Sequence, residues 1–516
     1  MNEEGGVVKA AAILAAGNVT SRLLGLVRET VKAHFFGASS LLSAYEIAAY
    51  IPISLFDLIV GGMVNSSLVP VFSDYASKER RDELWRVVSM VLSAATVLLL
   101  LVVIVVELFA PQIAGLIGAR NFSDPALTAV TIHLMRLATP AVFFMSIASI
   151  LTGALYALKR FAIPAFIGAA LNASIVVAAL LRPDRIESLV WGLLFGSFLQ
   201  IVLQLPALRD ARLRWHLNLR HPAIRRILKL YAPIVAGLII TQFTIALSYN
   251  LATRTGDDSI AYMRYATTLL QFPLGLIVTA LSVAILPTLA QQAINRLADF
   301  KQTLADGIKL VLTLILPATA GLFVLAVPIV ALVFERGQFT PTNTEITANV
   351  LRVYLFGLPF AAVDQMLVFA SYARKDTLRP ALVGVVAIGV YLATAVLLIR
   401  PLGLYSLMVA DAVKHIVHTL IMIWLLNRSL EGLRGLGLVP SALKSLVAAL
   451  AAGGAAYAIL LLLGPILPST GLFSRILLVL LGGLAGLGGY IALVYALDIQ
   501  AAKSLPRLLR KKTVDS

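Results

Sequence analysis

Asn18-Val-Thr-Ser-Arg-Leu-Leu-Gly-Leu-Val-Arg-Glu-Thr-Val-Lys-Ala-His-Phe-Phe-Gly37 lies within the first apolar segment, yet it carries Arg22, Arg28 and Glu29. At 3.6 residues per turn Arg22 and Glu29 share one face, two turns apart, and Arg28 sits about 100° round from Glu29. Charges at membrane depth cost roughly 2.5–3.5 kcal/mol each on insertion scales and face a bundle interior or a wet cavity. The plainer reading is that Arg28 reaches to an interface and pairs locally with Glu29. A charged flank on an apolar helix raises the question of what surrounds it.

The surroundings are membrane helices. The 516 residues are 59% hydrophobic and 13% charged, whereas soluble domains run near 45–50% apolar and 25% charged. Continuous apolar runs of about twenty residues recur along the chain, which predicts an all-α polytopic membrane protein; the absence of alternation argues against a β-barrel. Fourteen spans are expected, near 8–33, 41–73, 86–109, 126–155, 161–181, 187–207, 228–250, 259–287, 306–333, 346–371, 380–400, 402–426, 440–465 and 472–496. Glu3 and Glu4, in place of a basic n-region, and the length of the first segment predict no cleavable signal peptide. With no cysteine there is no thiol chemistry.

The net charge of +16 would suit nucleic acid, but the basic residues gather in short loops between spans. Most of them fall in one alternate set of loops, and the other set holds Arg120, Arg182, Arg185, Arg254, Arg336, Arg400 and Arg475. That asymmetry excludes a nucleic-acid partner and predicts both termini in the cytoplasm. The richest loop, Arg209 to Lys229, alternates basic and apolar residues and is expected either along the cytoplasmic surface against anionic lipid or as a solvated linker. The tail Arg507-Leu-Leu-Arg510-Lys-Lys512 reads the same way.

An internal repeat is present. Leu155-Tyr-Ala-Leu-Lys-Arg-Phe-Ala-Ile-Pro164-Ala-Phe-Ile-Gly168 echoes Ser371-Tyr-Ala-Arg-Lys-Asp-Thr-Leu-Arg-Pro380-Ala-Leu-Val-Gly384 at an offset of 216. Ala44-Tyr45 and Pro70 echo Ala261-Tyr262 and Pro287 at an offset of 217. Six helices per repeat predict two six-helix lobes related by a pseudo-twofold along the membrane normal, plus two C-terminal helices. The expected organisation is an N-lobe 1–207, an amphipathic cytoplasmic linker 208–227, a C-lobe 228–426, a final helix pair within 427–496 and a basic tail 497–516.

No Walker loop, nucleotide fingerprint or metal-ligand spacing is present, so ATP coupling, catalysis and a bound metal or cofactor have no support. His415 and His418 read as a polar patch, and Asp411 with Lys414 as a self-neutralising pair. Glu46 and Asp57 are candidates for proton or cation coupling, or for pairing with the arginines of the first helix; Asp364 is a further coupling candidate. Pro70 and Pro287, recurring in both halves, are the hinge candidates. Cations and bending helices between two parallel repeats suit alternating access for an anion, and arginine favours a phosphate.

Several segments resemble the MurJ/MviN lipid II flippases of the multidrug/oligosaccharidyl-lipid/polysaccharide exporter superfamily. They are Val19-Thr-Ser21-Arg22-Leu-Leu-Gly-Leu-Val-Arg28-Glu29 with Phe36-Gly37-Ala38, and Gln271-Phe-Pro-Leu-Gly275 with Leu286-Pro287. Arg160-Phe-Ala-Ile-Pro164, Tyr372-Ala-Arg374-Lys-Asp376 and Arg336-Gly-Gln-Phe339-Thr add to them. The resemblance implies transfer of lipid-linked peptidoglycan precursor from the inner to the outer leaflet of the bacterial cytoplasmic membrane. It implies a cationic cavity for headgroup and pyrophosphate, a groove for the polyprenyl tail on the last two helices, and a monomer among membrane lipids. Ser21, Arg22, Arg28 and Glu29 take the positions of the family's first-helix functional residues, and Arg264 and Gln271 join them as substrate contacts.

The chain also departs from the family pattern. Ser43 and Phe56 stand where an acid and an arginine are usual, with Asp57 next in line, and Thr268 replaces a second arginine. Losing two cations weakens diphosphate binding by several kcal/mol unless Arg264 compensates. Three other functions therefore stay open: a flippase for another polyprenyl-diphosphate glycan, a cation-coupled drug or amphiphile exporter, and a non-transporting scaffold.

Overall fold

A computed structural model describes residues 3–432, 435–467 and 471–499. The basic stretch from Arg507 to Lys512 lies outside the described residues. Every regular element among them is helical. Among the described residues thirteen helices, or fourteen with one bent pair joined, are long and apolar enough to cross a bilayer. This matches the fourteen expected spans. The helices pack as two compact units, Met1–Ala261 with Arg336–Phe339, and Tyr262–Glu335 with the chain from Thr340 onward.

The first unit is built from α1 (Glu3–Phe36), α2 (Ser40–Phe56), α3 (Val69–Ser73), α4 (Arg81–Ile117), α5 (Pro125–Ala138), α6 (Ala141–Ala157), α7 (Ile167–Leu181), α8 (Glu187–Gln204) and α9 (Pro222–Ala252). Local signals set its boundaries. Gly37 takes φ of 61° after α1, a conformation that costs glycine little, and Ser39 caps α2 by accepting from the Leu42 N–H. Asp124 caps α5 ahead of Pro125, and His221 caps α9 ahead of Pro222. α4, at 37 residues, extends about 55 Å and so overshoots a hydrocarbon core of about 30 Å. Its lower part is buried against Ile150, Leu151, Ile224 and Ile227 around Trp85.

The second unit holds α10 (Ser259–Pro273), most of which falls within it, α11 (Thr279–Asn295), α12 (Leu297–Val324), α13 (Ala326–Phe334), α14 (Pro341–Leu355), α15 (Leu358–Ala373), α16 (Leu378–Leu402), α17 (Tyr405–Ser429), α18 (Leu438–Leu463) and α19 (Leu472–Ala496). α14 and α15 form the bent pair, at 45°. Gly403, at φ 53°, separates α16 from α17 where the sequence predicted a split. α18 and α19 pack through small residues: a Cβ on Gly486 would meet the Ala452 carbonyl at 3.1 Å, the close approach that apolar helices use in lipid.

The repeat has local structural counterparts. Lys159 and Lys375 both adopt left-handed backbone, φ 58° and 61°. Each closes a helix by the same bond pair: Lys159 N–H to Tyr156 and Arg160 N–H to Leu155, against Lys375 N–H to Tyr372 and Asp376 N–H to Ser371. This is a Schellman end with lysine where glycine is usual. Wide π turns occupy Asp57–Gly61 and Leu274–Val278, again 217 apart. The first unit adds another at Val64–Leu68, which has no counterpart in α11. Past that point the two copies are out of phase. Pro70 therefore follows directly on a π turn, within the span Ser40–Ser73, whereas Pro287 sits in regular α-helix, and the π turn of the second copy lies earlier, at Leu274–Val278.

Candidate functional site

Around the first helix the structure assembles a buried ionic network. Glu29, 1% exposed, accepts from Arg28 Nη2 at 2.6 Å and Nε at 3.1 Å on one oxygen, and from Lys32 Nζ at 2.8 Å on the other. Lys32, 2% exposed, also pairs with Glu46 of α2 and lies over the Tyr45 ring. The turn at Gly37 leads straight from α1 into α2, and the long side chains of Lys32 and Glu46, 14 residues apart, meet across it. Arg28 Nη1 donates to Asn172 Oδ1 at 2.9 Å, and Asn172 Nδ2 in turn donates to the Ser21 carbonyl at 3.0 Å. Asn172 belongs to α7, which α1 approaches closely because Gly17 and Gly168 leave no room for a Cβ: one on Gly168 would sit 2.8 Å from Ser21 Oγ. The Arg336–Phe339 segment closes the end of α1 through Gln338 N–H to the His34 carbonyl, 2.9 Å.

Arg22 and Arg28 therefore separate, and so do Glu46 and Asp57. Arg28 joins the network, while Arg22 is exposed and forms no ion pair among the described residues. Glu46 finds Lys32, a lysine and not an arginine of the first helix. Asp57 heads the π turn and accepts instead from Gln242 Nε2 at 3.2 Å. Tyr231 of α9 donates to the Asp57 and Leu58 carbonyls, at 3.1 and 2.9 Å, satisfying oxygens that the wide turn releases.

In the second unit Arg264 is half-buried on α10, and the Thr268 hydroxyl, at the arginine-replacing position, bonds back to its carbonyl at 2.8 Å. Gln271 is exposed one turn on. Asp364 lies 2.6 Å from His418 Nδ1, and Asp411 pairs with Lys414 as the spacing predicted. His418 is thus a partner of Asp364 rather than part of an isolated polar patch. Sequence reasoning missed Lys32, Asn172 and His418 as site members. Lys32 carried a signal, a lysine three residues past an intramembrane acid; the other two contacts cross between distant helices and leave no local pattern.

Residues 32–476 match the sequence profile of the family described as "Lipid II flippase MurJ". The chain belongs to that family. The MurJ resemblance of the sequence is thereby confirmed, and the family is one of multi-pass membrane transporters, not enzymes. A protein of Bdellovibrio bacteriovorus named probable lipid II flippase MurJ is 30% identical over 452 residues, 86% of each chain. The lipid II flippase MurJ of Burkholderia cenocepacia is 26% identical, covering 72% of this chain and 74% of its own. Among solved structures, a lipid II flippase MurJ in an inward closed conformation shares the fold with a TM-score of 0.78 at 23% identity, over 94% of this chain and 100% of that one. An inward-facing multidrug resistance transporter of the MATE family in the MOP superfamily aligns at 0.65 and 12% identity, over 80% and 95%.

Proposed function

We propose that this MurJ-family chain moves lipid II from the inner to the outer leaflet of the bacterial cytoplasmic membrane, as a monomer with both termini in the cytoplasm. The observation that carries the reading is the state of Arg28. A guanidinium has five N–H donors; Glu29 and Asn172 take three, and the side chain stays 21% exposed. One N–H on each Nη remains for a phosphate. Arg28, Glu29, Lys32 and Glu46 sum to no net charge, so Arg28 would offer directed hydrogen bonds while Arg22 adds positive charge, with Ser21, Arg264 and Gln271 as further contacts. Glu46, Asp57 and the Asp364–His418 pair are the candidates for cation or proton coupling, and the breaks before Pro70 and Pro287 are the candidate hinges.

A flippase-depleted bacterium, scored for growth and for lipid II exposed on the outer leaflet, tests this. The parent chain is expected to restore both. Arg28→Ala, present in the membrane at parental level, is expected to restore neither, and full growth with it would overturn the assignment.

One observation favours a second reading. Phe56 packs on the apolar cluster around Trp85 and Thr268 is bonded to its own helix, so neither position supplies the usual cation. A well-expressed parent chain that fails to complement points to another polyprenyl-diphosphate glycan.

A further inference from the structure

Between α8 and α9 residues 211–218 form no helix or strand and alternate in sequence, Leu213, Trp215 and Leu217 with Arg212, Arg214, His216 and Asn218, before Leu219 and Arg220 enter a turn. All nine are exposed, Trp215 by 66% and Leu219 by 59%. Large apolar side chains in that number, outside any core, need a partner.

The segment is not a loose loop. Arg214 N–H donates to Ser89 Oγ and His216 N–H to Ser93 Oγ, each at 3.0 Å. The periods match: four residues of α-helix rise about 6.0 Å and two of extended chain about 6.6 Å. At its base Arg212 meets Asp82, and Asp210 meets Arg160 and Arg81. The strap thus climbs α4 from the helix start, and at His216 it stands about 18 Å above Arg81. It reaches a hollow shared by Thr96, Leu213 and Trp215. Immediately beyond, α4 presents Val97, Leu98, Leu100 and Leu101 outward, the side of a membrane helix that meets acyl chains.

On the strap's other edge the N–H groups of Leu213, Trp215 and Leu217 have no protein partner among the described residues. Unpaired backbone cannot enter hydrocarbon, but headgroup oxygens and water accept from it. Arginines on one face, a tryptophan and leucines on the other, and a free polar edge suit the headgroup boundary, where tryptophan concentrates and basic residues meet anionic lipid.

We propose that residues 212–220 are a lipid-binding strap that seats on anionic phospholipid headgroups of the cytoplasmic leaflet, continuing the lipid-facing surface of α4. This assignment is independent of the transported substrate.

The chain has no cysteine, so one introduced cysteine gives a unique label. Leu217→Cys and Asn218→Cys, each spin-labelled in the full-length protein, are placed in nanodiscs of phosphatidylcholine alone or with phosphatidylglycerol. Accessibility to oxygen and to a water-soluble nickel chelate is read for both. The expected result is a Leu217 label several-fold more accessible to oxygen than to nickel, a water-exposed Asn218 label, and a contrast strengthened by phosphatidylglycerol. Arg212→Gln with Arg214→Gln and Arg220→Gln is expected to abolish that strengthening. Equal water access at both positions, a Leu217 label shielded from both reagents as a protein partner would shield it, or indifference to phosphatidylglycerol would each overturn the assignment.

Discussion

Replacing Lys32 by Met keeps the length of an almost fully buried side chain and removes the cation held between Glu29 and Glu46. Glu29 keeps Arg28, but Glu46 loses its ammonium. Removing one partner of a buried pair costs about 3–5 kcal/mol, because the other charge stays desolvated. Glu46→Gln is the milder lesion, since Lys32 retains Glu29, and costs about 1.5–3 kcal/mol for one charge-assisted hydrogen bond. The double variant Lys32→Met with Glu46→Leu removes both charges and is expected to be more stable than Lys32→Met alone. For a cooperative unit of about 250 residues each kcal/mol moves the midpoint by about 2–4 °C, so Lys32→Met should melt on the order of 10 °C lower. The assay is thermal unfolding of detergent-purified protein at one fixed scan rate, because such midpoints depend on rate. A Lys32→Met midpoint within about 2 °C of the parent, or a double variant no better than the single, would refute the buried pair.

The Arg160 guanidinium beside Asp210 holds that carboxyl below its ordinary pKa. Its contribution to stability is therefore complete above the ordinary pKa and lost as pH falls through the depressed one. The pair is more than a third exposed, which limits it to under about 1 kcal/mol; Asp210→Asn should flatten the loss of stability below about pH 4, and an unchanged acid limb would count against it. Tyr231→Phe strips the π turn of the hydroxyl that serves two carbonyls, at a cost of about 1–2 kcal/mol. Hydrogen exchange at Asp57–Gly61 should quicken, and unchanged exchange would show that the turn stands without Tyr231.

The spans were legible because apolar run length and loop charge are local and repeated. Even the break at Gly403 was readable. The repeat was legible at Tyr156 and Tyr372, and the left-handed Lys159 and Lys375 that follow them give it a backbone form that composition could not. π turns were not legible: Asp57 and Leu274 share a geometry but no residue type. At the candidate site Arg28 and Glu29 announced themselves as charges in an apolar run. Asn172, 144 residues from Arg28, is an ordinary polar residue until the packing of α7 on α1 brings it there, and the departure of Asp57 from Glu46 depended on Gln242 of α9.

The buried network has a consequence for how the protein is made. A chain grows at about 5–20 residues per second, so Glu46 follows Lys32 by roughly 1–3 s and Asn172 follows Arg28 by roughly 7–29 s. Until then α1 carries Arg22, Arg28, Glu29 and Lys32 toward a bilayer that charges each of them a few kcal/mol. Its ionic network is complete only when α2 has supplied Glu46 and α7 has supplied Asn172. Helix α1 thus waits on a partner that is made well over a hundred residues later, and a variant that delays α7 would expose it to proteolytic quality control in the interval.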